Sequence, residues 1–116
     1  MIHDELVTYE VAKLAKEKGF DVPTDFCYEQ NGRLVRCGSI AAPTQSLLQR
    51  WLREKKRVVF DTSPLQEMDC EYLEWCVTIY QVDKNGYGLS WKEELFYDTY
   101  EHALEEALKY ALENLV

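Results

Sequence analysis

The sequence predicts an α+β protein of two layers, in which helices pack on a mainly antiparallel sheet of 4-5 strands. Three observations lead to this class. Apolar residues recur at helical spacing in three separate segments. Runs rich in β-branched and aromatic residues lie between them, and hairpin-turn residues occur at 31–32 and 83–86. Because hairpins pair neighbouring strands antiparallel, the expected order is α-β-β-α-β-β-β-α.

The first helix is expected from about Asp4 to Lys18. Its apolar positions at helical spacing are Val7, Val11, Leu14 and Ala15. Gly19 is the expected left-handed stop, and Phe20 can pack back on the last turn.

A short hairpin is expected next, with strands Phe26–Gln30 and Arg33–Cys37 around the Asn-Gly turn. Its register decides where two cysteines lie. A two-residue loop would pair position 27 with position 36 and put Cys27 and Cys37 on opposite faces. A three-residue loop would instead bring the two cysteines opposite each other.

The second helix is expected from Pro43 to about Lys55, with Pro43 as its first helical residue. Its apolar stripe is Leu47, Leu48, Trp51 and Leu52. The opposite face carries Ser46, Gln49, Arg50 and Arg53. A buried strand, Arg57–Asp61, should follow.

A loop is expected over Thr62–Cys70, where Pro64 interrupts the chain. Two long strands, Tyr72–Val82 and Tyr87–Tyr97, should then form the second hairpin. The last helix has the clearest signal, an unbroken apolar face formed by Tyr100, Ala103, Leu104, Ala107, Leu108, Ala111, Leu112 and Leu115. Asp98 or Thr99 is its expected N-cap.

The composition indicates one domain, residues 1-116, in the cytoplasm. The chain has 116 residues, and no apolar run approaches the ~20 residues that a membrane-spanning helix needs. The N-terminus is acidic and lacks the layout of a signal peptide. The four cysteines are expected to be free thiols, and their spacing predicts neither a metal site nor another cofactor.

Charge is distributed very unevenly along the chain. The basic segment, residues 33–57, contains seven bases and one acid and carries +6. The remainder contains six bases and twenty acids and carries −14. This polarity favours binding to an acidic partner, either nucleic acid or the acidic surface of a protein.

Three segments carry a resemblance that spans most of the chain. They are Ala12–Phe20 (AKLAKEKGF), Ala41–Lys55 (AAPTQSLLQRWLREK) and Thr99–Leu108 (TYEHALEEAL). Together they resemble small uncharacterised proteins encoded by phages, prophages and other mobile elements of anaerobic gut bacteria. The resemblance implies an accessory protein of a mobile element and implies no catalytic residue.

The sequence therefore favours a non-enzymatic protein–protein interaction module, with self-association included among its partners. The basic helix would face an acidic surface, and the expected contacts are Gln45, Gln49, Arg50, Arg53, Lys56 and Arg57. The first alternative is weak nucleic-acid binding through the basic helix 43-57, with phosphate contacts from its arginines. The second is an acidic DNA mimic that inhibits a host protein through Glu101, Glu105, Glu106 and Glu113, with Glu93, Glu94 and Asp98 nearby.

Two further expectations concern the aromatic residues and catalysis. The eight tyrosines and three tryptophans should mostly fill the core, although some of them could form a partner-binding surface. An enzyme is not expected, because the sequence contains no Gly-rich phosphate loop, no Gly-x-Ser-x-Gly motif and no His-x-x-x-His pair.

Overall fold

The computed structural model describes residues 5–36, 38–65, 74–83 and 88–116. In these residues the α+β class and the antiparallel pairing are confirmed, with three helices and two three-stranded sheets. The elements are α1 (Tyr9–Glu17), β1 (Cys27–Tyr28), β2 (Leu34–Val35), β3 (Ile40–Ala41), α2 (Gln45–Lys56), β4 (Val58–Leu65), β5 (Glu74–Val82), β6 (Leu89–Tyr97) and α3 (Tyr100–Asn114).

The expectation of one sheet of 4-5 strands was wrong, and so was the element order. A strand that the sequence did not predict, β3, pairs with β1 and completes a small sheet of order β2-β1-β3. The other sheet has the order β4-β5-β6. With only two residues, β3 is too short to show the alternation by which a strand is recognised.

The first hairpin has a register that differs from both expected ones. Cys27 pairs with Val35, and the N–H of Glu29 donates to the carbonyl of Arg33, so the loop comprises residues 30–32. Gly32 has φ of 91°, a left-handed conformation that favours glycine. Position 37, the other cysteine of the expected pair, lies outside the described residues.

The residues before α1 form an extended bridge rather than a helical turn. The helix expected from Asp4 starts at Tyr9, after Thr8 as N-cap, and Asp4 itself lies outside the described residues. The N–H of Val7 donates to the carbonyl of Pro43 (2.9 Å). Pro43 therefore lies in this bridge and is not the first residue of α2.

The end of α1 is as expected. Gly19 has φ of 98°, and the N–H of Phe20 donates to the carbonyl of Ala15 (2.9 Å). The ring of Phe20 is buried and meets Trp51 of α2 edge-to-face, with 5.4 Å between ring centroids. The stop of the first helix thus also joins it to the second.

Strand β4 continues through the region where a loop was expected from Thr62. It extends to Leu65, and Pro64 pairs with Trp75 of β5. A proline is tolerated there because β4 is an edge strand of the described sheet and needs ladder bonds on one side only. Residues 66–73 and 84–87, where the rest of the loop and the second turn were expected, lie outside the described residues.

Strand β6 contains a β-bulge opposite Ile79 and Tyr80. Ile79 pairs with Glu93, whereas Tyr80 pairs with Trp91, so Lys92 is the extra residue. A bulge of this kind adds one residue to a strand and increases its local twist. Side chains that point to a given face of the sheet therefore have odd numbers on one side of Lys92 and even numbers on the other.

Helices α2 and α3 cover one face of the β4–β6 sheet. The sheet contributes Val58, Phe60, Val77 and Ile79 to the core. Helix α3 contributes Ala103, Leu104, Ala107, Leu108, Ala111 and Leu112, as its periodicity predicted. Thr99 is its N-cap and accepts a hydrogen bond from the N–H of His102 (3.1 Å).

The carboxylate of Glu105 joins the N-terminal ends of the three helices. One oxygen, Oε2, accepts hydrogen bonds from the backbone N–H and the hydroxyl of Thr8, both at 2.9 Å. The other, Oε1, accepts from the side-chain amide of Gln45 (3.1 Å). The same amide donates to the carbonyl of Glu101 (2.9 Å), and the Gln45 residue is only 4% exposed.

Two tyrosines attach the small sheet to the segment around α1. The Tyr28 hydroxyl donates to the carbonyl of Val7, and the Tyr9 hydroxyl donates to the carbonyl of Gln30, both at 2.7 Å. Their rings meet edge-to-face at 5.7 Å. Partial burial raises the pKa of Tyr28, and the negative charge of Glu105 raises it further.

Replacing Gln45 by alanine should lower the free energy of unfolding by about 1–3 kcal/mol, because the Glu101 carbonyl and one Glu105 oxygen lose their donor. Urea unfolding followed by circular dichroism measures this change. Gln49→Ala, in the same helix and without this junction, is the matched control and should stay within about 0.5 kcal/mol of the parent chain. Equal effects at the two positions would show that the junction adds no stability.

Candidate functional site

The predicted basic helix, α2, is amphipathic and has a clear start and end. The Thr44 hydroxyl caps its start by accepting the N–H of Leu47 (3.1 Å). The buried side is formed by Leu48, Trp51 and Leu52. The cations at positions 50, 53 and 55 are exposed on the other side.

The two glutamines among the expected contacts differ in position. Gln45 is buried, and its amide bonds to α3, so it does not present a polar group for a partner to read. Gln49 is half-buried on the helix. Gln45 was expected to contact a partner together with the arginines. The helical periodicity of α2 alone does not show that its first turn packs against α3.

The arginines and lysines of α2 do not act as one uniform basic face. Arg50 pairs with Glu54 one turn later, Nε to Oε1 at 3.1 Å, and both side chains are exposed. Such an exposed pair is worth little stability, but it reduces the net charge of that turn. Arg53 is exposed, and the Lys56 ammonium lies 5.5 Å from the centroid of the Trp51 ring.

Arg57 ends the helix and turns the chain toward the sheet. It adopts a left-handed conformation with φ of 59°, and its Nη1 donates to the carbonyl of Asp83 (3.0 Å). An open groove of about 460 Å³ lies here, and its lining includes three cations and one carboxylate. The lining residues are Lys56, Arg57, Gln81, Val82, Asp83, Ser90 and Lys92.

The acidic residues of α3 are not one solvated strip. Glu105 is used in the helix junction. Asp98 and Glu106 lie on either side of the His102 ring, at 3.4 and 3.9 Å from its two nitrogens. Glu93 and Glu94, expected to extend this acidic surface, follow one another in β6 and therefore point to opposite faces of the sheet.

One side of the β4–β6 sheet faces away from the helices. We call it the open face. Along β4 and β5, the residues of the open face alternate with the residues that point into the core. The open face consists of Val59, Asp61, Ser63, Cys76, Thr78, Tyr80, Val82, Leu89, Trp91, Glu94 and Phe96. In the part of the chain that the structure describes, no helix or strand packs on this face.

Large apolar side chains are exposed on the open face. Trp91 is 58% exposed, Leu89 59% and Phe96 49%. Cross-strand pairing places Val59, Tyr80 and Trp91 in one row, beside a row formed by Val82 and Leu89. An exposed apolar surface of this kind commonly marks an interaction site.

Acidic groups interrupt this apolar surface. Asp61 and Glu94 lie on either side of Thr78 in the next row. The Cys76 thiol donates to Glu94 Oε1 at 3.2 Å. Burial raises the pKa of Cys76, and the hydrogen bond to the Glu94 carboxylate raises it further because it stabilises the thiol form.

The sequence contains a signal for the open face in the composition of β5. Both faces of β5 carry apolar residues. Those that point toward the helices are Trp75, Val77 and Ile79. Those on the other side are Cys76, Tyr80 and Val82. A strand apolar on both sides is expected to be covered on both sides. The pairing of Tyr80 with Trp91 could not be recognised in advance because the bulge shifts the register of β6.

Compared with known proteins, the chain matches no family model, no curated protein and no solved structure. Among the described residues, no helix is long and apolar enough to cross a membrane, and no group of three or more His, Cys, Asp or Glu side chains could hold a metal ion. Cys27 and Cys76 are free thiols in the same described ranges.

Replacing Glu94 by glutamine should speed the alkylation of Cys76. The substitution removes a carboxylate that favours the protonated thiol, so more reactive thiolate is present at the same pH. Iodoacetamide labelling at mildly alkaline pH, quantified on the Cys76 peptide by mass spectrometry, measures the rate. Glu93→Gln, one residue away but on the opposite side of the sheet, is the control and should leave the rate unchanged.

Proposed function

We propose that this chain is a non-enzymatic protein–protein interaction module, and that its contact surface is the open face. The observation that carries this proposal is the exposure of Trp91, Leu89 and Phe96 on a sheet face that no described element covers. The resemblance of its helical segments adds the context, an accessory protein of a phage or other mobile element.

The composition of the open face supports protein binding. Exposed aromatic side chains are the residues that most often anchor protein interfaces, because each covers a large area with few rotatable bonds. Tyr80 and Trp91 are neighbours in one row, while Asp61 and Glu94 lie one row away. An apolar centre with polar groups beside it is the usual arrangement of an interface.

The apolar surface also favours the open face over the basic helix as the main contact. Arg50 is paired with Glu54, and Gln45 is inside the fold. The exposed groups that remain on α2 are mainly charged, and such groups tune association rates more than affinity. A face with three exposed large apolar side chains offers the greater gain on burial.

A photo-crosslinking amino acid placed on the open face should form covalent adducts with protein partners. We expect p-benzoylphenylalanine at position 91 to give adducts after irradiation in the bacterial host, because the side chain projects from the contact surface. The control carries the same group in place of Leu34, which is 44% exposed but lies on the small sheet. Adducts are detected by a shift in mass on denaturing gels and by mass spectrometry.

Two results would count against the proposed function. Adducts of equal yield from positions 91 and 34 would indicate contact by random collision. The lack of adducts from position 91, and from position 80 of the same row, would mean that the open face meets no protein. Adducts specific to the open face support the proposal whatever the identity of the partner.

Weak nucleic-acid binding is a second candidate, favoured by the groove at the end of α2. Lys56, Arg57 and Lys92 come together there from two segments that are distant in sequence. The exposed Arg53 lies in the preceding turn of the helix. So few cations would give an affinity that falls steeply with salt. The DNA-mimic alternative stays a prediction, and no described contact adds to it.

Fluorescence anisotropy with labelled duplex DNA, single-stranded DNA and RNA tests this second candidate. Saturable binding at low salt should be lost in an Arg53→Glu/Lys92→Glu variant, because the substitutions reverse the charge at the groove and on the adjacent turn. Lys13→Glu/Lys16→Glu, on the more distant helix α1, changes the net charge equally and should bind like the parent chain. Equal loss in both variants would reveal a response to net charge alone.

A further inference from the structure

We infer that the groove at the end of α2 binds a single phosphate group, of the kind that a phosphate monoester carries. The inference goes beyond the interaction module and does not involve the open face. It uses the groove of the second candidate function but requires no nucleic-acid chain. The lining contains three cations and one carboxylate, which leaves +2. This charge matches a phosphate monoester, which carries about −1.5 to −2 at neutral pH.

The groove lies where the C-terminal ends of α2 and α3 meet the sheet. Lys56 and Arg57 line it from the end of α2, and Lys92 lines it from β6. The cations therefore come from two segments that only the fold brings together. The volume of about 460 Å³ lies within the range of small-molecule sites, roughly 300–1,000 Å³.

Two irregularities of the backbone place cations at this groove. Among the residues that the structure describes, Arg57 is the one non-glycine residue with a positive φ, at a helix end where glycine is usual. Lys92 is the extra residue of the bulge in β6. Unusual backbone of both kinds is concentrated at functional sites, and a bulge can re-aim a side chain. Their occurrence at one groove points to a ligand.

The lysines of the groove are available to an anion. In the part of the chain that the structure describes, neither Lys56 nor Lys92 forms an ion pair. The Trp51 ring, 5.5 Å from the Lys56 ammonium, holds that side chain without neutralising its charge. Arg57 adds a fixed positive charge, because its Nη1 donates to the carbonyl of Asp83 (3.0 Å).

The groups that would repel an anion are already hydrogen-bonded. The C-terminal ends of helices carry partial negative charge. Here the Gln81 amide donates to the carbonyls of Lys56 (3.4 Å) and Leu115 (3.3 Å), which offsets that charge. The Asp83 carboxylate accepts a hydrogen bond from the Ser90 hydroxyl (3.4 Å). The cations therefore remain in excess within the groove.

The surroundings of the groove limit the size of the ligand. The chain as a whole carries −8, and Glu93 directly follows Lys92. Charges at the surface are screened over about 8 Å at physiological ionic strength, so an anion inside the groove responds mainly to its lining. A longer polyanion would also meet the acidic remainder. We expect a dissociation constant of about 0.1–1 mM for one phosphate group, because the site is open and has few cations.

Amide NMR of the isotopically labelled full chain, titrated with inorganic phosphate at constant ionic strength, tests the inference. The shifts should saturate and be centred on positions 56–57, 81–83 and 90–92. Lys56→Gln/Lys92→Gln should weaken binding at least about fivefold, because it removes two of the three cations. Lys13→Gln/Lys55→Gln makes the same charge change at two exposed lysines outside the lining, and should bind like the parent chain.

A second variant changes the remaining cation without opposing the backbone. Glycine suits the left-handed conformation at position 57, so Arg57→Gly is compatible with the turn. It removes the guanidinium and should also weaken phosphate binding. Circular dichroism verifies that each variant folds.

Two pairs of ligands distinguish the sources of the phosphate group. Adenosine monophosphate against adenosine tests a small monoester, and a 5′-phosphorylated oligonucleotide against its 5′-hydroxyl form tests the end of a nucleic acid. Tighter binding of the phosphorylated member in either pair, lost in Lys56→Gln/Lys92→Gln, supports the inference.

Two outcomes would overturn the phosphate site. One is the lack of saturable shifts up to about 20 mM phosphate. The other is equal weakening in the two lysine-pair variants, which would show a response to net charge alone. Neither outcome affects the crosslinking test of the open face, so the phosphate site and the interaction module can fail separately.

Discussion

The Glu105 carboxylate is the contact on which the arrangement of the helices depends. Its two oxygens receive the N–H and hydroxyl of Thr8 and the amide of Gln45, which lie at the starts of α1 and α2. Helix starts carry partial positive charge, so a carboxylate is favourably placed between them. From this point α1 carries the small sheet and α2 leads into β4.

The packing of α3 extends this constraint into the core. Ala103, Ala107 and Ala111 are fully buried and small, and they let the neighbouring elements come close to the helix. The leucines between these alanines fill the remaining space. The apolar face of α3 is therefore buried from its first turn to its last. All of this apolar packing lies on one side of the β4–β6 sheet. The chain has no fourth described helix for the other side, and the open face is the result.

Local signals predicted the elements well, and long-range contacts caused the errors. The repeating apolar face of α3 and the stop at Gly19 each depend on residues close in sequence, and each was found where expected. The shift of the α1 start depends on a bridge between Val7 and Pro43, which are far apart in the chain. For the same reason Gln45, a residue of ordinary surface type, was taken for a contact residue. Its burial follows from Glu105, sixty residues later.

The bulge at Lys92 decides which side of the sheet each half of β6 serves. Leu89 and Trp91 precede the bulge, and Phe96 follows it. Two residues of a regular strand that are an odd number of positions apart, as Trp91 and Phe96 are, point to opposite faces of the sheet. Because Lys92 is an extra residue, the alternation changes there, and Leu89, Trp91 and Phe96 point to the same face. Loss of this one residue, with the register near Tyr97 kept, would direct Leu89 and Trp91 into the helix layer and leave the open face without its aromatic centre. The chain can therefore tolerate many side chains at position 92, but the number of residues there is fixed by the architecture.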